Sequence, residues 1–206
     1  MSNNANTNFD FSQVDPQRTF ELVPENTICE LQLKIHAGGA GDDGWRTRSK
    51  DGASENLACE FTVVGGDHDK KKFWQRQTMC GVTPKHDEAG RISMQLFRSM
   101  IDSAKGLRSD DKSEAADNVR KSFTGWADFN GLCFIARVGI GPAADGYPAK
   151  NKIQEVIAAE KQEWRQPTQI AKAANSGAPA PSSAPTPAPS APPAGAIARP
   201  RWMQPE

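Results

Sequence analysis

The sequence has little with which to build a disulfide framework or a metal centre. Its 206 residues include only four cysteines, which lie far apart, form no CxxC pair and have no partnered histidine at a metal-ligand spacing. This pattern gives poor support to a zinc site and favours reduced, buried thiols. We therefore predict no metal and no cofactor. The cysteines are Cys29, Cys59, Cys80 and Cys133.

The chain also lacks an excess of charge of either sign. Its 25 lysines and arginines balance 25 aspartates and glutamates, so the formal net charge is zero. Without a global field that attracts nucleic acid or a membrane surface, any affinity for nucleic acid must come from local patches. The balance argues against a strongly basic architectural binder but leaves a groove binder open.

Long apolar runs are absent as well. No stretch approaches the roughly 20 apolar residues of a membrane span. The Asn-rich beginning has neither the basic nor the apolar region of a signal peptide, so a cytoplasmic location without membrane attachment is expected. Hydrophobic residues make up 37% of the chain, which predicts one medium domain with extensions outside its core.

Composition divides the chain into three parts. Residues 1–17 are polar and predict a flexible N-terminal arm, whereas residues 18–166 predict one folded domain. Residues 167–206 are rich in Ala, Pro and Ser, and such a composition predicts a disordered tail. The tail contains a basic, Trp-bearing segment that we interpret as a partner-binding motif; the alternative is an inert tail. The residues of this motif are Arg199, Arg201 and Trp202.

Three segments in the first half of the chain alternate polar and apolar residues, which is typical of half-buried strands. The polar face of the first carries Lys34 and His36, and we expect this histidine to be only solvated. A glycine-rich loop containing Trp45 follows, and we expect this tryptophan to be exposed. The three segments are residues 28–36, 57–64 and 71–80.

The spacing of apolar residues changes in the second half of the chain. Apolar residues recur every four positions at Ile92, Leu96, Met100 and Ala104, which predicts an amphipathic helix over residues 91–104 that packs on the core. A second, weaker helix is predicted over residues 113–121, with Ser113 as its N-cap. Two further strands are predicted over residues 132–140 and 153–157.

The predicted fold class is mainly β with one or two helices. The order βββαββ is that of the OB-fold, a five-stranded Greek-key barrel that binds oligonucleotides across its second and third strands. In such a barrel, the loops 37–56 and 141–151 would flank the bound strand. Both loops contain aromatic and basic residues.

The third predicted strand is the most suggestive stretch, because residues 70–76 contain four cations and two aromatics. Cations follow phosphates and aromatic rings stack on bases in proteins that bind single strands. The alternative is an edge strand kept soluble by lysines. Alternation places Phe73 toward the core. The candidate nucleic-acid-binding residues are Trp45, Arg46, Arg48, Lys50, Lys72, Trp74, Arg76, Tyr147, Lys150 and Lys152.

Several ordered motifs give the chain a family resemblance. They are GG at 38–39, GWRTRS at 44–49, CEFTVVGG at 59–66, KFW at 72–74, GLCFIARV at 131–138, and GY at 146–147 before KNK at 150–152. Over roughly residues 18–165 the sequence resembles a family of small phage and prophage proteins, often encoded beside recombination and replication genes. The resemblance implies a phage-type single-stranded-DNA-binding role in the cytoplasm of the host cell.

These observations predict a non-catalytic protein that binds single-stranded DNA during phage replication or recombination. The alternative is a β-barrel adaptor that recruits a recombinase, replication protein or host protein through its aromatics and tail. An enzyme is disfavoured because no paired carboxylates, Ser/His/Asp set or Cys/His pair stands out. The sequence leaves open the oligomeric state, including a homo-oligomer, and the choice between DNA and RNA.

Overall fold

A computed structural model describes residues 21–143, 146 and 148–168. The predicted arm at residues 1–17, Tyr147, and the tail from residue 169 onward lie outside the described residues. The proposed tail motif of Arg199, Arg201 and Trp202 therefore also lies outside them.

The described part of the chain is mainly β and contains two α-helices, as predicted. It also contains a two-residue strand and a 3-10 helix that the sequence order βββαββ did not include. The elements are β1 (Thr27–His36), β2 (Thr47–Arg48), β3 (Ser54–Val64), β4 (Lys72–Gly81), α1 (Pro84–Lys105), α2 (Glu114–Lys121), a 3-10 helix (Trp126–Phe129), β5 (Cys133–Gly141) and β6 (Lys150–Val156).

All strand pairs are antiparallel and belong to one open sheet. Strand β3 pairs with β4, and it also pairs with β1 and the short β2. Strand β5 joins β1, and β6 joins β5. In the described residues no backbone ladder joins β6 to β4, so the expected closure of the sheet is not seen. Where the edges of β4 and β6 approach each other, the Ile153 N–H donates to Gln75 Oε1 at 3.1 Å. A hydrogen bond to a side-chain amide therefore takes the place of backbone pairing at this point.

Strand alternation builds the core. Leu31, Leu33 and Ile35 are buried on the inner face of β1, and Phe61 is buried on the inner face of β3. The Phe61 ring lies 5.3 Å from the ring of Phe73 and 6.2 Å from that of Phe134, measured between centroids. Burial of such aromatic side chains dominates core energetics, so these rings hold the strands in register.

Helix α1 begins at Pro84, earlier than the predicted residue 91, because Thr83 caps it and proline suits the first turn. Ile92, the first residue of the predicted apolar periodicity, does not lie on the buried face of the helix, since its side chain is 53% exposed. Each four-residue step advances about 40° round a helix, so Ile92 lies about 120° from Ala104. The buried stripe instead begins with Gly90 and Ser93 and continues through Phe97.

The second helix agrees with its predicted start. Ser113 is the N-cap of α2, and its hydroxyl oxygen accepts from the Ala116 N–H at 3.2 Å. Arg120 of α2 donates through Nε to Asp102 Oδ1 of α1 at 2.8 Å, which ties the two helices together. Although α1 has 22 residues, no helix in the described part of the chain is long and apolar enough to cross a bilayer.

Replacing Gly90 with alanine should destabilise the fold, although alanine is the better helix former. A β-carbon at this position would overlap the Met79 carbonyl of β4, which forces backbone movement. Overpacking costs roughly 1–3 kcal/mol and the helix-propensity gain is about 1 kcal/mol, so we expect a net loss of up to about 2 kcal/mol in urea unfolding. Gln95→Ala, at an exposed position of α1, should stay within about 0.5 kcal/mol. An equal effect of the two changes would contradict the close approach of α1 to β4.

Candidate nucleic-acid interface

The exposed side of strands β4, β3 and β1 carries a group of aromatic and charged residues that we name the Trp74 face. Register places Trp74 directly opposite Glu60, and Glu60 directly opposite Lys34. The Trp74 side chain is 56% exposed, which is unusual for a large aromatic residue and typical of a contact surface. The members of the Trp74 face are Lys34, His36, Glu60, Lys72, Trp74 and Arg76.

Strand alternation positions this face as the sequence predicts. Lys72, Trp74 and Arg76 are exposed, whereas Phe73 is only 5% exposed and belongs to the core. Lys34 and Arg76 make no ion pair within the described part of the chain. These two cations are therefore available to an incoming anion.

Glu60 lies at the centre of the Trp74 face. It is only 8% exposed; Lys72 Nζ donates to its Oε1 at 2.6 Å, and His36 Nε2 lies 2.8 Å from its Oε2. The hydrogen bond from Lys72, followed by that from His36, holds the pKa of Glu60 below its ordinary value against the opposing effect of burial. His36 is therefore not merely solvated as expected, because it contacts a carboxylate.

A second group, which we name the Glu55 cluster, lies at the N-terminal end of β3 beside β2. Glu55 pairs with Arg46 and with Arg48, each at 3.2 Å, and Arg46 NH1 lies 3.7 Å from Cys80 Sγ. The hydrogen bonds from Arg48 and then from Arg46 lower the pKa of Glu55. The members of the Glu55 cluster are Arg46, Arg48, Glu55 and Cys80.

A β-bulge separates the two groups. The pairing of β3 with β4 shifts between Glu55 and Asn56, where β4 carries the extra residue Met79. Glu55 and Asn56 still alternate along β3, so Glu55 lies on the side of the strand opposite to Asn56 and Glu60. Asn56 Oδ1 accepts from the Thr78 hydroxyl at 2.9 Å, which links the outward sides of β3 and β4 next to the bulge.

The expected exposure of Trp45 is wrong, because its side chain is only 8% exposed and belongs to the core. The loop before it is a tight hairpin in which the Gly39 N–H donates to the Gly44 carbonyl at 2.8 Å. Gly39 and Gly44 adopt positive φ, which glycine tolerates without strain. The loop then returns through a bridge between Ala40 and Arg46, and this turns Trp45 inward.

The remaining predicted lysines are spread more widely. Lys50 is exposed in the turn between β2 and β3, beyond the Glu55 cluster. Lys150 lines a groove of about 960 Å³ together with Lys72 and Trp74, so it approaches the Trp74 face from β6. Lys152 is exposed farther along β6 and does not line that groove.

Three members of the interface were missed as binding residues by the sequence reasoning. Alternation had already placed Lys34 and His36 on a polar face, but only the strand register shows that this face is continuous with that of Trp74 across β3. Glu60 had no sequence signal at all, since a glutamate on a polar strand face is ordinary.

The described residues hold no obvious metal site. No group of three or more histidine, cysteine, aspartate or glutamate side chains among them is placed to bind a metal ion. Burial raises the pKa of the Cys59 thiol to about 12 and that of Cys133 to about 11, so both remain protonated at neutral pH.

No protein-family model matches the chain, and no curated protein matches it.

Replacing Lys72 with alanine should raise the pKa of Glu60 toward that of an ordinary glutamate, because its strongest stabilising hydrogen bond is lost. NMR titration of the Glu60 carboxyl measures this change. A depressed pKa stabilises the fold above the unfolded value of about 4.3, and this contribution is lost as the pH falls through the folded pKa. The unaltered protein should therefore be more stable than Lys72→Ala near neutral pH, and this difference in stability should disappear in acid.

Arg76→Ala provides the control on the same face, because Arg76 does not contribute to the lowered pKa of Glu60. This variant should leave the Glu60 titration where it is. If Lys72→Ala also left it unchanged, the ion pair between Lys72 and Glu60 would not be formed in solution.

Proposed function

We propose that this protein is a non-catalytic single-stranded-DNA-binding protein that acts in phage DNA replication or recombination. The observation that carries the proposal is the exposed Trp74 indole, which shares a continuous sheet surface with Lys34, Lys72 and Arg76. The phage setting rests on the sequence motifs described above.

Stacking on Trp74 would supply the base contact. Each base–aromatic stack contributes roughly 1–3 kcal/mol and tolerates any base, because every base has a π-face. The indole projects from the third residue of a ten-residue strand. Its neighbour Phe73 is anchored in the core, so the ring's backbone support is already ordered before DNA arrives.

Lysines and arginines would supply the phosphate contacts. The Trp74 face contains three lysine or arginine side chains and one glutamate, so it is locally positive. Lys34 and Arg76 make no ion pair within the described residues, so a phosphate group can bind them without displacing a carboxylate. Binding of this kind weakens as salt rises.

The topology supports an OB-like assignment within this proposal. The spatial order β4–β3–β1–β5–β6, with α1 between β4 and β5 in the chain, follows from the observed pairings. With β2 treated as an extension of the β1 edge, β3 and β4 take the places of the two OB strands that bind oligonucleotides. The gap between β4 and β6 would be the site of incomplete barrel closure.

Replacing Trp74 with alanine should weaken binding of the full chain to oligo-dT about five- to 150-fold, because one base stack is lost. Fluorescence anisotropy of a labelled oligonucleotide at low salt measures the affinity. Met94→Ala is a matched control, since Met94 is 54% exposed on α1 and lies outside the Trp74 face. This control should bind like the unaltered protein.

Failure can take two forms. If Trp74→Ala binds as tightly as the unaltered protein, the site is misplaced. If the unaltered protein binds duplex as well as it binds single strands, or binds neither at low salt, the proposed function is wrong. The adaptor interpretation would then be preferred.

Replacing Lys34 or Arg76 with alanine should reduce the salt dependence of binding. Each phosphate contact on a single strand contributes about 0.7 to the slope of log affinity against log salt concentration, so each variant should lower the slope by about that amount. Titrations across a salt series measure it. Arg91→Ala, on exposed α1, removes an equal charge away from the face and should keep the slope. Equal slopes in all three variants would mean that neither cation contacts phosphate.

A further inference from the structure

Glu60 is the one member of the Trp74 face that neither base stacking nor phosphate binding requires. A carboxylate repels phosphate, and placing it beside Trp74 works against a surface that serves only to attract DNA. Yet Glu60 is nearly buried there, with Lys72 on one oxygen and His36 on the other. An ionised carboxylate has about four acceptor positions, so these two contacts leave acceptor capacity unused.

The position of this carboxylate places it beside any base stacked on Trp74. Residues directly opposite each other in an antiparallel pair have β-carbons about 4.5–5.5 Å apart, and Trp74 is directly opposite Glu60. A base that covers the indole therefore has an edge within reach of the Glu60 oxygens. The chemical character of that edge then affects binding.

Bases differ in what they offer a carboxylate. Cytosine and adenine carry exocyclic amino groups, which donate hydrogen bonds, and carboxylates are known acceptors for the cytosine amino group. Thymine carries a carbonyl oxygen where cytosine carries its amino group, and this oxygen faces a carboxylate unfavourably; its one donor, N3–H, lies between two carbonyl oxygens. Cytosine and thymine are both single-ring bases, so their stacking areas differ only by the thymine methyl group, while their hydrogen-bonding groups differ at the position that faces Glu60.

We propose that Glu60 is a specificity-determining residue that accepts a hydrogen bond from the amino group of a base stacked on Trp74. The protein then prefers cytosine-containing single strands to thymine-containing ones. This inference rests on the proposed function, because it requires that a base stack on Trp74 at all. It adds a base preference to a surface otherwise suited to any sequence.

The test compares oligo-dC and oligo-dT of equal length, bound to the full chain at one salt concentration and slightly alkaline pH. The unaltered protein should bind oligo-dC on the order of tenfold more tightly, within the roughly five- to 150-fold range of one good base contact. Glu60→Gln keeps the size of the side chain but removes its charge and supplies an amide donor for thymine carbonyls. This variant should lose most of the preference or reverse it.

Glu55→Gln is the matched control, because it removes the same charge from the same strand. Glu55 lies opposite Cys80, six residues along β4 from Trp74, or about 20 Å away. This variant can change the affinity for both oligonucleotides, but it should preserve their ratio. A change in fold, monitored by circular dichroism, would affect both oligonucleotides together rather than their ratio.

The outcomes separate this inference from the proposed function. If neither oligonucleotide binds, the proposed function fails. If both bind equally to the unaltered protein, or if Glu60→Gln keeps the preference, the role of Glu60 is wrong while single-strand binding stands. If Glu55→Gln removes the preference as fully as Glu60→Gln, the ratio reports surface charge and not a base contact, which also overturns the inference.

Discussion

The side-chain alternation of β3 is the constraint on which both the core and the candidate interface depend. Phe61 must face inward, because its ring packs between those of Phe73 and Phe134. The next residue toward the N-terminus, Glu60, must then face outward, directly opposite Trp74. A slip of one residue would move the entire apolar set of β3 to the solvent face, so burial of Phe61 also determines which residues meet on the exposed side.

Two glutamates of β3 lower the local positive charge but restrain the basic side chains around them. Glu60 holds Lys72 and His36, and Glu55 holds Arg46 and Arg48, so four long or titratable side chains are restrained before any ligand arrives. Free lysine and arginine side chains lose up to about 2 kcal/mol of rotamer entropy when they are immobilised. Restraint in the free protein reduces that loss on binding, although each carboxylate also lowers the local attraction for phosphate.

Local pattern was enough to predict much of the fold and the exposed side of β4. Period-two alternation predicts which way Trp74 and Phe73 point, and the capping role of Ser113 follows from its residue type. These features depend on residues close together in the chain. The predicted helix face failed at Ile92 because a constant four-residue spacing drifts round the helix, and the true stripe uses the small residues Gly90 and Ser93.

Features that depend on pairing between segments far apart in the chain could not be predicted from the sequence alone. Trp45 was expected outside because it follows a glycine-rich loop, but the bridge between Ala40 and Arg46 turns it into the core. The meeting of His36 with Glu60 requires the register of two strands separated by a loop, and no local periodicity encodes a register. Closure of the sheet likewise depends on whether the edge strands β4 and β6 pair, which no local pattern encodes. In the structure the Gln75 side chain accepts a hydrogen bond from β6.

The absence of net charge affects how a locally positive surface on this chain would attract DNA. With no net charge, long-range attraction to DNA is weak, and at physiological salt exposed charges act over only about 8 Å. Discrimination must then arise from contacts at short range, where the rigid support of Trp74 and its carboxylate neighbour matter more than the number of cations. Since duplex bases are already stacked on each other, an exposed indole offers them little, whereas unstacked bases gain a partner. If the proposed function is correct, the arrangement around Trp74 would favour single strands through the geometry of one strand pair, with no need for a basic protein.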